Sequence, residues 1–152
     1  MFKTHLLISL LLGLFTFQFF EINKFIFIAL VILAGSLPDI DIPSSKIGKK
    51  TRPVSNIINF LFGHRGILHS IFIPVLLFFV LSYYNLYEYG YAVLIGYLGH
   101  LLADAISSEG VNFLHPFLKL RIQGFIRVGG FLEYILFMLL IGLGILSIPR
   151  LF

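Results

Sequence analysis

Two ionisable residues lie four positions apart in an apolar stretch, GYLGHLLADAI, which runs from residue 96 to residue 106. At this spacing His100 and Asp104 share one face of a helix. Ionisable groups in a membrane segment are costly, so each needs a partner or a function. Imidazole nitrogen and carboxylate oxygen are ligands that zinc takes where thiolates are absent, and the chain has no cysteine. The pair is either part of a metal site or a simple hydrogen-bonded pair.

Further histidines and acids stand near other apolar stretches. His5 lies near the start, LPDID carries Asp39 and Asp41, and GHRGILHS carries His64 and His69. Each alone has an ordinary interpretation as a capping, turn or interfacial residue. Glycines beside the two histidines allow a turn that brings both to one site, and an aspartate pair can offer one ligand and one outer or bridging group. Together these residues are the nitrogen and oxygen donors of a divalent-metal site.

The composition is that of an integral membrane protein. Of the 152 residues, 59% are hydrophobic and 12% are charged, whereas roughly a quarter of a soluble domain is charged. Because a backbone in lipid must satisfy its own hydrogen bonds, the apolar stretches predict helices. There are five: Leu6–Phe20, Phe25–Leu37, Ile71–Leu86, Tyr89–Ile106 and Phe131–Ile148. The predicted fold class is all-α: one membrane-embedded helical bundle over residues 1–152, with a second helix that is short for a full crossing.

The basic residues predict an orientation for this bundle. Nine of the eleven lysines and arginines fall on the face that holds the amino terminus, and only Lys24 and Arg150 fall on the other. By the positive-inside rule the first face is cytoplasmic. All five histidines and five of the seven acids, Glu133 among them, fall on that same face. Five helix ends therefore bring imidazole or carboxylate groups together, which predicts a metal site facing the cytoplasm.

The ordered motifs resemble a known family. TH near the start, LPDID, GHRGILHS, GYLGHLLADAIS, GVNFLHPF and a late GGFLE are similar to motifs of the membrane-bound family described as LexA-binding, inner-membrane-associated metal-dependent hydrolases. The resemblance covers about Thr4 to Glu133. More distantly, YLGHLLAD resembles the His-x-x-x-Asp helix of the zinc-dependent phospholipase C and P1 nuclease superfamily, in which a multinuclear zinc site cleaves phosphoesters.

This resemblance implies a set of metal ligands. They are His5, Asp39, His69, His100 and Asp104, with Asp41 and His64 as candidates in or beside the site. The chain departs from the soluble superfamily because no further histidines follow closely after the His-x-x-x-Asp pair, and Glu133 is the candidate for the missing ligand. His115 stands where the membrane family has an aromatic residue, so it is not assigned as a ligand. The number of metal ions stays open.

The predicted function is metal-dependent hydrolysis of a phosphoester at the cytoplasmic face of the inner membrane. A divalent ion, with zinc expected, lowers the pKa of a bound water towards neutrality and polarises a phosphoryl oxygen. Asp41 or Asp104 would accept the proton of that water. Arg65 would hold phosphate through its planar fork of donors, or else serves only as a positive-inside anchor. The depth of the site favours a lipid or lipid-like substrate.

Two other functions compete with hydrolysis. A non-enzymatic metal-binding scaffold that binds a cytoplasmic regulator is favoured by the LexA-binding description and by the basic loop SSKIGKKTRPVSN, which suits acidic partners or lipids. A small transporter is disfavoured, because the polar groups gather at one face without a path to the other. Membrane lipids are expected partners, and no direct contact with nucleic acid is predicted.

Overall fold

Helices make up most of the described chain. The structure, a computed structural model, describes residues 2–41, 48–49, 52–53, 55–56, 66–118 and 120–151. The α-helices described from end to end are α1 Phe2–Thr16, α2 Lys24–Ala34, α3 Phe72–Tyr83, α4 Tyr87–Ile106 and α5 Phe131–Ser147; residues 48–49, 52–53 and 55–56 are also helical. Short 3-10 turns follow α1 at Phe17–Phe19, follow α2 at Pro38–Asp41, precede α3 at Ile67–His69 and follow α5 at Ile148–Leu151. Each predicted apolar stretch therefore overlaps one helix, although α1, α2 and α4 begin before the stretch does.

Three of the described helices, with their 3-10 extensions, are long and apolar enough to cross a membrane. They are Phe2–Phe19, Tyr87–Ile106 and Phe131–Leu151. Helices α2 and α3 have 11 and 12 residues, fewer than the roughly 20 that a spanning helix needs. The predicted fold is thus confirmed in a coarser form, as a mostly helical chain with three helices of spanning length. A bundle of five full spans stays a prediction.

Local sequence explains where the shorter helices begin and end. The Asn23 side chain caps α2 by accepting a hydrogen bond from the Phe25 amide at 3.0 Å, which satisfies a donor that the first turn leaves open. Helix α2 ends before Pro38, as expected from the clash between a proline ring and a helical preceding residue. Pro74 lies in the first turn of α3, where its missing amide donor costs little.

Helix α4 lies at the centre of the bundle. It packs against α1, α2 and α3, whereas α5 packs mainly against α1. One buried cluster includes Phe27 and Val31 of α2 with Ala92 of α4, and a second includes Tyr97 of α4 with Val111. Large apolar side chains remain exposed on the outside of the helices, as expected for surfaces that face lipid.

A small β-hairpin connects α4 to α5 and was not included in the all-α prediction. Strands β1 Val111–Asn112 and β2 Arg121–Ile122 pair antiparallel, with Val111 opposite Ile122. Gly110 enters β1 with φ of +66°, a left-handed conformation that favours glycine. Strands of two residues carry no detectable alternation of apolar and polar residues, so the sequence pattern could not reveal them.

Candidate metal centre

The carboxylate of Asp104 faces three imidazole rings. Its Oδ1 lies 3.0 Å from Nε2 of His5, and its Oδ2 lies 3.5 Å from Nε2 of His69 and 3.6 Å from Nε2 of His100. All four residues are at most 5% exposed. The rings come from the start of α1, the turn before α3 and the last turns of α4, so elements that are distant in sequence meet at one buried point.

Asp39 extends this cluster at its less enclosed edge. One ligand atom from each of Asp39, His69 and His100 lies within 4.8 Å of the others, and the same holds for His5, His100 and Asp104. His100 belongs to both groups. Asp39 is half-buried, whereas the other four residues are buried. The five residues together are called the His/Asp cluster below.

The hydrogen bond of His100 to the backbone determines which of its ring nitrogens faces the cluster. Nδ1 lies 2.8 Å from the carbonyl oxygen of Gly35. A carbonyl oxygen only accepts, so Nδ1 carries the proton and donates it. In the neutral ring, Nε2 then presents a lone pair towards Oδ2 of Asp104, 3.6 Å away. Two facing acceptors repel one another unless a proton, a metal ion or a neutral hydrogen-bond donor lies between them, so the position suits a metal ion.

Small residues allow α1, α2 and α4 to approach closely. A Cβ atom at Gly96 would overlap the backbone oxygen of Val31 and lie 2.9 Å from its Cα. A Cβ atom at Gly99 would lie 2.7 Å from Oγ of Ser9. That hydroxyl donates to the Gly96 carbonyl at 3.0 Å. Small residues at a helix interface commonly allow the backbones of membrane helices to approach closely.

These close approaches lie directly beside the His/Asp cluster. His5 precedes Ser9 by one helical turn, and His100 follows Gly96 by one turn. Gly35, whose carbonyl accepts from His100, is itself packed against Ser9. The crossing of the three helices therefore fixes the backbone positions of His5 and His100. It also fixes the Gly35 carbonyl, which orients the His100 ring.

The turn that carries His69 is held by α4 and by the β-hairpin. The hydroxyl of Tyr97, on α4, donates to the Leu68 carbonyl at 2.6 Å. Two residues after His69, the Ile71 amide donates to the Phe113 carbonyl at 3.0 Å. The position of His69 therefore depends on contacts from two other elements, and not on its own turn alone.

Replacement of Tyr97 by phenylalanine tests this support. Tyr97 is 1% exposed, so Tyr97→Phe removes a buried donor and leaves the Leu68 carbonyl without it, at an expected cost of about 1–3 kcal/mol in the free energy of unfolding. Denaturant unfolding in detergent micelles measures the change. Tyr87→Phe is the matched control, because Tyr87 is 55% exposed and should lose almost nothing. Equal stability of the two variants would contradict the supporting role.

Glu133, predicted as a ligand, has other partners. Its Oε1 accepts from the Thr4 hydroxyl at 2.9 Å, and its Oε2 accepts from the Gly129 amide at 2.6 Å. These bonds join the start of α5 to the start of α1. Among the described residues, Glu133 is in neither group of possible ligands, so its ligand role stays a prediction. His115, not assigned as a ligand, lies half-buried in the hairpin segment and is also in neither group.

Three other predicted site residues are not placed by the structure. His64 and Arg65 lie outside the described residues, and of Asp41 only the backbone, in a 3-10 turn, is described. Their predicted roles as ligand, phosphate-binding group and general base stay predictions. In contrast, Gly35, Tyr97 and Ser9 support the cluster without having been singled out from the sequence.

Comparison with known proteins gives one family match. The chain matches the family described as YdjM inner membrane protein over residues 1–150. It is 32% identical over 102 residues to a Bacillus subtilis (strain 168) protein named "Uncharacterized protein YvsG", covering 64% of this chain and 62% of that one. It is 36% identical over 93 residues to inner membrane protein YdjM of Escherichia coli (strain K12), covering 56% of this chain and 46% of that one. The chain thus matches about half of the length of these relatives, and no solved structure matches it.

Proposed function

The chain belongs to the YdjM inner membrane protein family, and on that premise we propose that it is a metal-dependent hydrolase of phosphoesters. The family and the apolar helices support the predicted inner-membrane location. The names of the relatives specify no activity, so the proposal depends on the site. The observation that carries it is the convergence of three imidazole rings on the buried carboxylate of Asp104.

The donor set fits a divalent ion. Imidazole and carboxylate groups without thiolates suit zinc and similar metals. The bond from His100 Nδ1 to the Gly35 carbonyl is also the arrangement usual for a ligating histidine, which donates its second ring N–H to a backbone carbonyl or carboxylate. This bond supports a ligand role for His100 Nε2 more directly than proximity alone.

The residues of the cluster suggest a division of roles. A bound divalent ion would supply an activated water and polarise a phosphoryl oxygen. Both carboxylate oxygens of Asp104 face imidazole rings, so its proposed role is to bind and orient. Of the two described carboxylates in the cluster, Asp39 is better placed to accept a proton, because it lies at the less enclosed edge. Asp41 remains a second candidate for that role. Arg65 is proposed to hold the phosphate of the substrate.

A lipid or lipid-like phosphoester is the proposed substrate. The cluster lies at the amino-terminal end of α1 and the carboxyl-terminal end of α4, both of which belong to segments of spanning length. A phosphate group at the membrane surface lies at about the level where such helices end. The excess of basic residues on this face supports a cytoplasmic position for the site.

The proposal is tested by turnover of a phosphodiester reporter in detergent micelles. The 152-residue chain is stripped with a chelator and resupplied with zinc or manganese, and the rate is compared for wild type, His69→Gln and His115→Gln. The expected result is a metal-dependent rate in wild type and His115→Gln that falls to the chelated background in His69→Gln. His115→Gln is a matched control, because the same substitution is made at a histidine outside the cluster.

Two other outcomes would overturn the hydrolase proposal. If wild type binds metal through the cluster but no reporter or phospholipid is hydrolysed, the metal-binding scaffold for a cytoplasmic regulator is favoured instead. If wild type binds no divalent ion, both functions fail, and the cluster is a hydrogen-bonded network of histidines around one carboxylate.

A further inference from the structure

The segment between α4 and α5 exposes an unusual number of large apolar side chains. Phe117 and Phe125 are 76% and 78% exposed, and four aliphatic residues nearby are 44–58% exposed. The hairpin patch is defined as Phe117, Leu118, Leu120, Ile122, Phe125 and Val128. A soluble surface seldom concentrates apolar area in this way, and such patches mark sites of interaction with a membrane or a protein.

The position of the patch in the fold indicates which of these partners it meets. The patch follows α4 and precedes α5, and both helices belong to candidate membrane spans. The Gly124 amide donates to the Ser107 carbonyl at 2.9 Å, and the Ser108 amide donates to the Ile126 carbonyl at 2.9 Å. These bonds hold the segment against the end of α4. It cannot extend far from the membrane surface, so a lipid leaflet is the nearest apolar partner.

The charges of the segment fit the same partner. Residues 107–130 contain three basic residues and one acid, and Arg121 and Arg127 are both exposed. The guanidinium of Arg121 donates to the Glu109 carbonyl, with Nε at 3.1 Å, which orders one basic group beside the patch. Aromatic and aliphatic side chains together with arginines are the composition of segments that lie in the membrane interface and attract anionic lipids.

We propose that the hairpin patch rests in the headgroup layer of the adjoining leaflet and that its partner is anionic phospholipid. Its apolar side chains enter the boundary between headgroups and acyl chains, and the two arginines meet lipid phosphates. This inference is independent of metal binding and of hydrolysis. The bond from the Ile71 amide to the Phe113 carbonyl links the hairpin to the His69 turn, so the depth of the patch also sets the depth of the His/Asp cluster.

Tryptophan fluorescence tests the proposal with little background, because the chain contains no tryptophan. Phe117→Trp, Phe125→Trp and Leu139→Trp are each made singly and placed in lipid nanodiscs whose lipids are brominated near the headgroup or near the chain end. Leu139 is 61% exposed near the middle of the candidate span Phe131–Leu151 and serves as the control for a residue within the acyl region. The two hairpin tryptophans should emit at shorter wavelength than in water and be quenched most by headgroup-proximal bromine. Leu139→Trp should be quenched more by the deeper label.

The lipid class is tested by removing the arginines. In nanodiscs with anionic lipid, Arg121→Gln or Arg127→Gln should each reduce the ratio of docked to undocked hairpin by about fivefold, with no change in neutral nanodiscs. Arg150→Gln is the control, because Arg150 lies over the Phe15 ring at the opposite end of the bundle. Water-like emission without lipid quenching overturns the proposal. So does lipid-independent burial that grows with protein concentration, which would assign the patch to a second copy of the chain.

Discussion

Asp104→Asn is expected to lower the affinity for a divalent ion by more than roughly 100-fold, since loss of an outer hydrogen-bond partner alone typically costs about 10- to 100-fold. Asp104 faces His5, His69 and His100 at once, so the variant removes the negative charge that the three rings share. The amide oxygen can still accept from His5, so the fold should persist. Metal content after gel filtration and competition with a chelating indicator measure the change.

Glu109→Gln is the matched control for this substitution. Glu109 is an exposed acid that follows α4 closely in sequence, and among the described residues it is in neither group of possible ligands. It loses the same charge at the same end of the bundle, so its metal affinity should equal that of wild type. If folded Asp104→Asn binds the divalent ion as tightly as wild type, the proposed metal site is wrong.

Gly96→Ala is expected to have the largest effect on folding. The added methyl group would overlap the backbone oxygen of Val31, and a backbone atom cannot move aside as a side-chain end can. Overpacking costs about 1–3 kcal/mol where side chains can adjust, so a loss of more than about 3 kcal/mol in the free energy of unfolding is expected here. Unfolding in mixed micelles, followed by circular dichroism, measures it.

Gly142→Ala provides the comparison at a helix glycine with open space around it. No described atom lies within 4 Å of a Cβ built at Gly142. Alanine is the better helix former, so the stability should be unchanged or raised by up to about 1 kcal/mol. If Gly96→Ala is as stable as Gly142→Ala, then α2 and α4 are further apart than described and the arrangement of the His/Asp cluster is wrong.

Sequence patterns predicted those parts of the fold and site that depend on neighbouring residues. The five helices follow from runs of apolar residues, because lipid leaves the backbone few alternatives. The shared face of His100 and Asp104 follows from their spacing, and Nε2 of His100 does lie 3.6 Å from Oδ2 of Asp104. The approach of His5 to Asp104 was expected only from their common membrane face and from the family resemblance.

Other features depend on tertiary geometry and leave no clear mark in a sequence. The Gly35 carbonyl orients His100, but every residue has a carbonyl. In the sequence, Tyr97 cannot be distinguished from other aromatic residues of membrane helices. Only the fold brings its hydroxyl to the Leu68 carbonyl. The partners of Glu133 depend on the angle at which α5 meets α1. Glycines such as Gly96 and Gly99 are a sequence signal of close helix crossing, but Gly142 and Gly144 give the same signal and have open space around them.

His5 and Asp104 are separated by 99 residues along the chain, and this separation has a consequence for biogenesis. When α1 leaves the ribosome and enters the bilayer, the polar side chains of His5 and Ser9 have no helix to pack against, because α2 and α4 have not yet been inserted. These side chains of α1 therefore gain their partners on α4 only after α4 has been inserted. Binding of the proposed ion would then be a late step of assembly, because Asp104 is among the last of the cluster residues to be synthesised.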